Sequence, residues 1–553
     1  MAFAILACTG HQTIDIVVSI ALAITTVLLS TRIFTEVRYF VQSRGNAGRF
    51  EGREPLTLPY TIPWIGGITA VITGHDMYFW AKSKSPQDRP VSLKLGPIKI
   101  YVLFGPKNMK TIFKNSKTLT KFSTTMMIFH NSGMSKKDQG VFDEDKSGLA
   151  HEPVADVPAQ GRIWKKSHDL GPKYLLTAHN VNMLTNMFIQ QFNEALDKKP
   201  LNHSFTTSLY SYFKDAMFVA STKSLVGTSI FSLCPDLTKD FWEYDGGFTQ
   251  IAIGLPKFLI SAKYAASDRM IDHCKRWINH AWENYDPKNE DADWEECFGS
   301  TYSRKMVQVI AESGLSREGQ AIAMLPMIWA INSNAIPCTG WIIFEALKRP
   351  GLIKTLRDEV APSMKKDEAG NLTIDIPNLL ANSPLLMSMY MECLRTRTSS
   401  AVTRKVTEDT ECDGYILKKG NHIMAASWQP AHGPIWDVPG HPADTFWPER
   451  FIEMPKMKPS DPDEKSAYEK AMRPDEWFPY GGGNVICSGR FFAKQEILAA
   501  VAIFVTKYDI EFQGWLDTKG KLTDKAPIPD ETMAGVGVLP PCGDARVKIT
   551  RVS

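Results

Sequence analysis

Tyr480-Gly481-Gly482-Gly483-Asn484-Val485-Ile486-Cys487-Ser488-Gly489-Arg490 sets one cysteine after a glycine-rich turn and before a helix-forming run, Phe491 to Ala500. Glycines let a backbone bend tightly enough for successive N–H groups to converge on a sulfur. The following helix would turn its positive end toward Cys487 and lower the basicity of the thiol. This prepares a stable thiolate, fit to ligate a metal; a buried structural cysteine is the plainer reading of the same residues. Upstream, Glu392 and Arg395 stand at i, i+3 on one helical face, close enough to pair. Between that helix and the cysteine, Phe446-Trp447-Pro448-Glu449-Arg450-Phe451 supplies a further arginine. In a third segment, Trp329 to Pro350, apolar residues dominate on all sides and predict one long buried helix, with Ser333, Asn334 and Pro337 among its interruptions. A proline kink with tolerated polar neighbours would account for that pair.

The cysteine segment resembles the haem-binding loop of cytochrome P450 enzymes, and the other segments follow in that family's order. The resemblance covers essentially the whole chain from Pro55 onward. It implies that Cys487 is the axial thiolate of haem b iron, in a loop that includes Tyr480, Gly481 and Gly489, and that Glu392, Arg395 and Arg450 form a charge-assisted triad bracing the haem-side core. Trp164, with His168 four residues later, matches the helix that reaches a haem propionate, although the family usually has arginine where His168 stands. Arg404 matches another propionate contact, whereas Val485 occupies a place where many relatives carry a propionate-binding Arg or His. Ser333 and Asn334 stand where most members carry an acid followed by threonine. They are the catalytic candidates, placed to hydrogen-bond dioxygen or a water that delivers protons to it. Asn334-Ala335-Ile336-Pro337 with Trp341 resembles the branch that contains sterol 7α-hydroxylases, oxysterol hydroxylases and prostacyclin synthase, and the chain reads as a fungal, microsomal member. The implied fold is mainly α with small β-sheets, a single large domain after an N-terminal transmembrane helix.

The anchor is legible in the residues themselves. Ile14 to Ile33 is apolar apart from Asp15, Arg32 and several Ser/Thr, and spans the length of about 20 residues that a bilayer requires. Arg32, Arg38, Arg44, Arg49 and Arg53 follow it and no Lys or Arg precedes it, which puts the downstream side in the cytosol. A cleaved secretory signal is the rival reading, but the basic n-region is absent. The expected division is residues 1–34 as membrane anchor, 35–67 as a basic, proline-rich linker, and 68–553 as the haem-thiolate monooxygenase domain. Nine scattered cysteines without a Cys-x-x-Cys pair speak for a reducing compartment. A net charge of +3 is too balanced for a nucleic-acid binder.

The resemblance thus predicts a monooxygenase of the endoplasmic reticulum membrane, single-pass, with its catalytic domain cytosolic. Its partners would be NADPH–cytochrome P450 reductase, docked near Lys165-Lys166, and a hydrophobic small-molecule substrate: steroid-like, terpenoid or polyketide. Access to the haem would be lined by Phe122–His130, Ile230–Leu259, Ala330, Ile331, Ala335, Ser399–Val402 and Val536–Val538, mostly apolar or small. Ser132 to Asp156, rich in charge and glycine, reads as a mobile lid or surface insertion. Two alternatives stay open: a haem-thiolate isomerase or dehydratase that needs no reductase, and a haem-binding sensor or carrier without turnover.

Overall fold

The structure, a computed structural model, describes residues 2–45, 52–67, 75–158, 161–197, 200–368, 370–457 and 465–552. It is mainly helical with small sheets, as the sequence predicts. The chain forms two compact units, residues 1–122 with 402–429 and residues 123–401 with 430–553.

The first unit opens on the helix Ala2–Gly45. Its stretch Ile16–Arg44 has a mean hydropathy of 2.1 over its most apolar part, none of it buried, the profile of a candidate membrane span. The helix does not stop at residue 34. Positions 34 to 44 hold no Gly or Pro to break it, and Thr35 and Tyr39, four apart on one face, are both buried. Thr35 Oγ1 donates to the Tyr60 carbonyl at 2.9 Å, and Tyr39 OH donates to the Lys84 carbonyl at 2.5 Å. What reads as the start of a linker is therefore helix. Part of the proline-rich stretch is sheet: Leu56–Thr57 pairs in parallel with Val91–Ser92. That sheet continues through Val91–Leu95 and Ile98–Val102, which pair antiparallel, to His422–Ala426, parallel to the latter. A hairpin, Thr410–Cys412 with Tyr415–Leu417, turns on Asp413-Gly414, both at positive φ, the pair such two-residue turns favour.

The second unit holds the main helical core. Arg490–Lys507 packs against Ala178–Leu196, Ala335–Lys348 and Pro384–Arg397. An antiparallel sheet, in the order Leu522–Thr523, Tyr508–Leu516, Asp544–Arg551, Ser204–Ser208, flanks the bundle. The single helix expected over Trp329 to Pro350 is two, Arg317–Asn332 and Ala335–Lys348, with Ser333 and Asn334 at the break. Pro337 explains it: with no N–H it leaves the Ser333 carbonyl without its helical donor, and its ring crowds that carbonyl. The polar segment after Ser132 carries local structure. It contains the helix Lys136–Glu144, and Asp138 in its first turn accepts from the Ser316 N–H at 2.8 Å and the Ser316 hydroxyl at 2.6 Å. Arg162 then ties down the carbonyls of Ala150 and His151 at 2.6 and 2.7 Å.

Candidate active site

The cysteine loop is closed by its own backbone, the Cys487 N–H donating to the Tyr480 carbonyl at 3.0 Å. Gly481 and Gly483 both sit at φ +69°, a conformation that costs glycine nothing. Gly489 precedes the helix Arg490–Lys507, so Cys487 lies at that helix's positive end. Space does not demand glycine at 489: a Cβ there would meet the Cys487 sulfur at 4.0 Å, an ordinary contact. Arg490 reaches back to the Cys487 carbonyl at 2.9 Å, and Tyr480 OH is hydrogen-bonded to Tyr390 OH on the helix Pro384–Arg397. Cys487 is exposed, whereas Cys234, Cys274, Cys338, Cys393 and Cys412 are buried.

The helix Ile163–Leu175 clamps this loop. Its Gly171 lies so close to Ser488 that an added Cβ would fall 2.4 Å from the hydroxyl. His168, expected at a propionate, has Nε2–H committed to the Asn484 carbonyl at 2.7 Å. Trp164 donates its indole N–H to the Phe142 carbonyl at 3.0 Å. His168 thus braces the cysteine loop, while Trp164 ties its helix to the helix Lys136–Glu144. Lys165, a candidate docking charge, is ion-paired with Asp169 at 2.5 Å.

On the distal side the helix break exposes two polar side chains to different partners. Asn334 Oδ1 accepts from the Val538 N–H at 2.9 Å. It thereby fastens the break to the strand Val536–Val538, which pairs antiparallel with Thr398–Ser400. Three of the stretches expected to line access to the haem are joined here. Gly537 makes the contact possible: it sits at φ +155°, and a Cβ on it would fall 1.9 Å from Asn334 Oδ1. Gly537→Ala is expected to cost about 1–3 kcal/mol through this overpacking. Asn334→Ala in the same chain should recover a good part of that loss, which a double-mutant cycle of urea unfolding measures. Additive losses would mean the two residues do not press on each other.

Ser333 turns elsewhere, its hydroxyl donating to Asp245 Oδ1 at 2.6 Å. Sequence reading names the stretch Ile230–Leu259 but does not single out Asp245 within it; the residue lies on another helix, 88 residues away, with no motif around it.

The triad residues come together in full burial. Arg395 grips Glu392 with two bonds of 2.8 Å, and Arg450 Nε donates to Glu392 Oε1 at 2.9 Å. The remaining guanidinium donors serve carbonyls of the segment that follows, among them Ala431, Trp436 and Pro442.

In the first unit, Arg404 is buried and donates to its neighbour Thr403's carbonyl at 2.7 Å. Among the described residues it forms no ion pair, and burial pulls its guanidinium down to about 10. A buried cation of this kind suits a carboxylate-bearing cofactor. An exposed thiol at a helix N-terminus suits haem iron as a ligand. The thiol and the loop around it therefore fit haem.

Comparison with known proteins agrees. The family model described as Cytochrome P450 matches residues 56–526. The cytochrome P450 monooxygenase calL of Penicillium decumbens is 32% identical over 84% of this chain and 86% of its own length. The cytochrome P450 monooxygenase fsoE of Humicola fuscoatra is 28% identical over 92% and 90%. The cholesterol 7-alpha-monooxygenase of Cricetulus griseus is 25% identical over 62% of this chain and 66% of its own. With the cysteine loop, the buried triad and a match running from the first strand nearly to the C-terminus, this chain belongs to the cytochrome P450 family.

Proposed function

We propose that this P450 monooxygenase inserts one oxygen atom of O2 into a hydrophobic, steroid-like, terpenoid or polyketide molecule of secondary metabolism, drawing electrons from NADPH–cytochrome P450 reductase. The observation that carries the reading is Cys487, an exposed thiol at the positive end of the helix Arg490–Lys507 in a loop braced by Tyr390, His168 and Gly171. Cys487 would ligate haem b, and Arg404 would balance a carboxylate of it. When bound through that thiolate, haem supplies dioxygen activation, the sulfur pushing electron density that favours O–O cleavage. Trp164, His168, Tyr480, Gly481 and Gly489 have a part in holding the loop and the helix beside it in place. Ser333 and Asn334 are the catalytic candidates on the distal side. Asn334 Oδ1 already accepts from Val538, and the amide's two N–H bonds are available to a water or a substrate oxygen.

The substrate class is supported by the apolar or small residues of the expected access route and by an apolar helix suited to hold the protein at a membrane into which such molecules partition. The names of the fungal relatives as monooxygenases, and of a hamster relative as a cholesterol hydroxylase, point the same way. The cationic flank of the helix supports a single-pass placement in the endoplasmic reticulum membrane with the enzyme domain cytosolic. Spectral titration of the purified protein with a panel of sterols, terpenes and peroxides, then turnover with and without reductase and NADPH, tests the reading. Reductase-dependent hydroxylation of a panel compound is the expected result. Rapid conversion of a peroxide with reductase and NADPH omitted would overturn it in favour of an isomerase.

A further inference from the structure

The distal helix Arg317–Asn332 ends one residue before Ser333, and its side chains Trp329 and Ser333 lie one turn apart on a common face. Both are engaged by one short stretch of chain. Trp329 Nε1–H donates to Asp245 Oδ1 at 2.9 Å, and Ser333 Oγ–H donates to the same oxygen at 2.6 Å. Phe248, three residues past Asp245, stacks on the Trp329 indole with ring centroids 3.9 Å apart and planes 15° from parallel. Asp245 closes the helix Leu237–Asp245, is buried, and is followed by an exposed Gly246. The C-terminal end of a helix is an unfavourable place for an anion. This buried carboxyl is thus tied to the helix break through the Ser333 hydroxyl.

We infer that Asp245 is a proton-holding positioning residue for the reaction, storing a proton at its carboxyl and passing it through Ser333 Oγ to the catalytic side of the helix break. The inference rests on the monooxygenase reading. In that reaction one dioxygen takes up two electrons from NADPH and two protons, one oxygen entering the substrate and the other leaving as water. Ser333 Oγ releases its proton toward the departing oxygen and is refilled from the Asp245 carboxyl, which water at the Gly246 end reprotonates. Asn334, the neighbouring candidate, cannot do this, because an amide does not exchange protons readily at neutral pH.

The surroundings of Asp245 suit a carboxyl that changes state. Burial pushes it up to about 6 from an ordinary 3.8, against the opposing pull of the Ser333 and Trp329 hydrogen bonds and of Lys214. Tyr210 and Lys214 face it from the helix Leu209–Val226, Tyr244 is its neighbour on its own helix, and Lys263 lies beside Gly246 from the helix Ser261–Asn284. The two tyrosines are pushed up by burial and stay neutral, so Lys214 is the cation that bears on it. Both forms of the carboxyl are then populated near neutral pH, which a proton relay requires.

The test uses holoenzyme with reductase, the panel compound that the wild type oxidises, and the variants Asp245→Asn, Asp245→Glu and Ser333→Ala. Asparagine keeps an acceptor oxygen for both donors but cannot hold the proton. Product per NADPH should fall about ten-fold in Asp245→Asn, with the lost reductant recovered as peroxide and the affinity for the compound unchanged. Asp245→Glu should restore a large part. In the wild type this coupling should decline as pH rises through the titration of the carboxyl, a limb missing from Asp245→Asn. Two readouts need no turnover. The infrared carbonyl band of a protonated carboxyl should titrate near pH 6, vanish in Asp245→Asn, and titrate higher in Ser333→Ala, which lacks the hydroxyl that favours the carboxylate. Because the folded value lies above 3.8, the carboxyl contributes stability that is complete below pH 3.8 and lost as pH rises through about 6. The wild type should therefore lose stability relative to Asp245→Asn over that window. Coupling and pH profile unchanged in Asp245→Asn, or no carboxyl band titrating on either side of pH 6, overturns the inference. A wild type that forms no reductase-dependent product defeats the monooxygenase reading instead, and the infrared titration of the wild type and Ser333→Ala then decides alone whether a proton sits between Asp245 and Ser333.

Discussion

Cys487→Ala yields a protein whose reduced carbon monoxide complex lacks the red-shifted Soret band that reports thiolate ligation. The loss is expected to be complete because, among the described residues, no other cysteine is exposed. Ligation needs the thiolate, and a thiol buried in apolar surroundings resists ionising. Burial pushes the Cys234 thiol up to about 11 and that of Cys412 to about 12, and raises Cys274 and Cys393 as well. Cys338 and Cys393 are buried facing each other, their sulfurs 3.3 Å apart. Cys487 differs in being exposed and in preceding the 18-residue helix Arg490–Lys507, whose N–H groups point toward it. The absorption of the reduced protein under carbon monoxide, compared at equal haem content, reads the outcome. A variant that keeps the band would show that another sulfur holds the iron, and the functional reading would lose its foundation.

Local signals carried the sequence reading as far as short-range physics reaches. Gly481 and Gly483 announce a turn because positive φ is nearly glycine's alone, and the Glu-x-x-Arg spacing announces a pair because i, i+3 side chains share a helix face. What sequence hid is long-range. The helix break at Ser333 and Asn334 was visible as Pro337, yet a kink and a full interruption look alike in a run of apolar residues. The destinations of the two freed side chains, Asp245 and Val538, lie 88 and 204 residues away; both fall in stretches expected to line access to the haem, but nothing in the local pattern pairs them with Ser333 and Asn334. His168 and Trp164 were found by position in a motif, and a motif says which helix they occupy rather than which acceptor each N–H meets. The length of the first helix is hidden for a related reason. Its arginines read as linker, although Thr35 and Tyr39 show that the helix keeps a buried face after the apolar run is over.

Glu392→Ala should remove the fold's hold on two buried cations at once. Arg395 and Arg450 are fully buried, and Glu392 is the one carboxylate that ion-pairs with either among the described residues. Its Oε1 accepts from both arginines and also from the Trp447 N–H at 3.0 Å, so the same deletion strands a backbone donor of the segment leading into Arg450. Burial already disfavours the charged form of Arg450, with Glu392 opposing it. Leaving a buried charge without its partner costs roughly 3–5 kcal/mol, against a total stability of about 5–15 kcal/mol for a typical protein. The variant is therefore expected to accumulate poorly and to take up little haem, seen as low soluble yield and low haem per chain. Arg395→Lys should be milder. It keeps a charge beside Glu392 but gives up the two-pronged grip and the bonds to the Ala431 and Ala443 carbonyls, which a single ammonium cannot span. A Glu392→Ala protein that folds with full haem and alters only which product forms would place this carboxylate in the substrate's path and end its role as a brace. The geometry argues otherwise, since all three side chains lie wholly within protein and spend their hydrogen bonds on one another and on the backbone between Ala431 and Trp447.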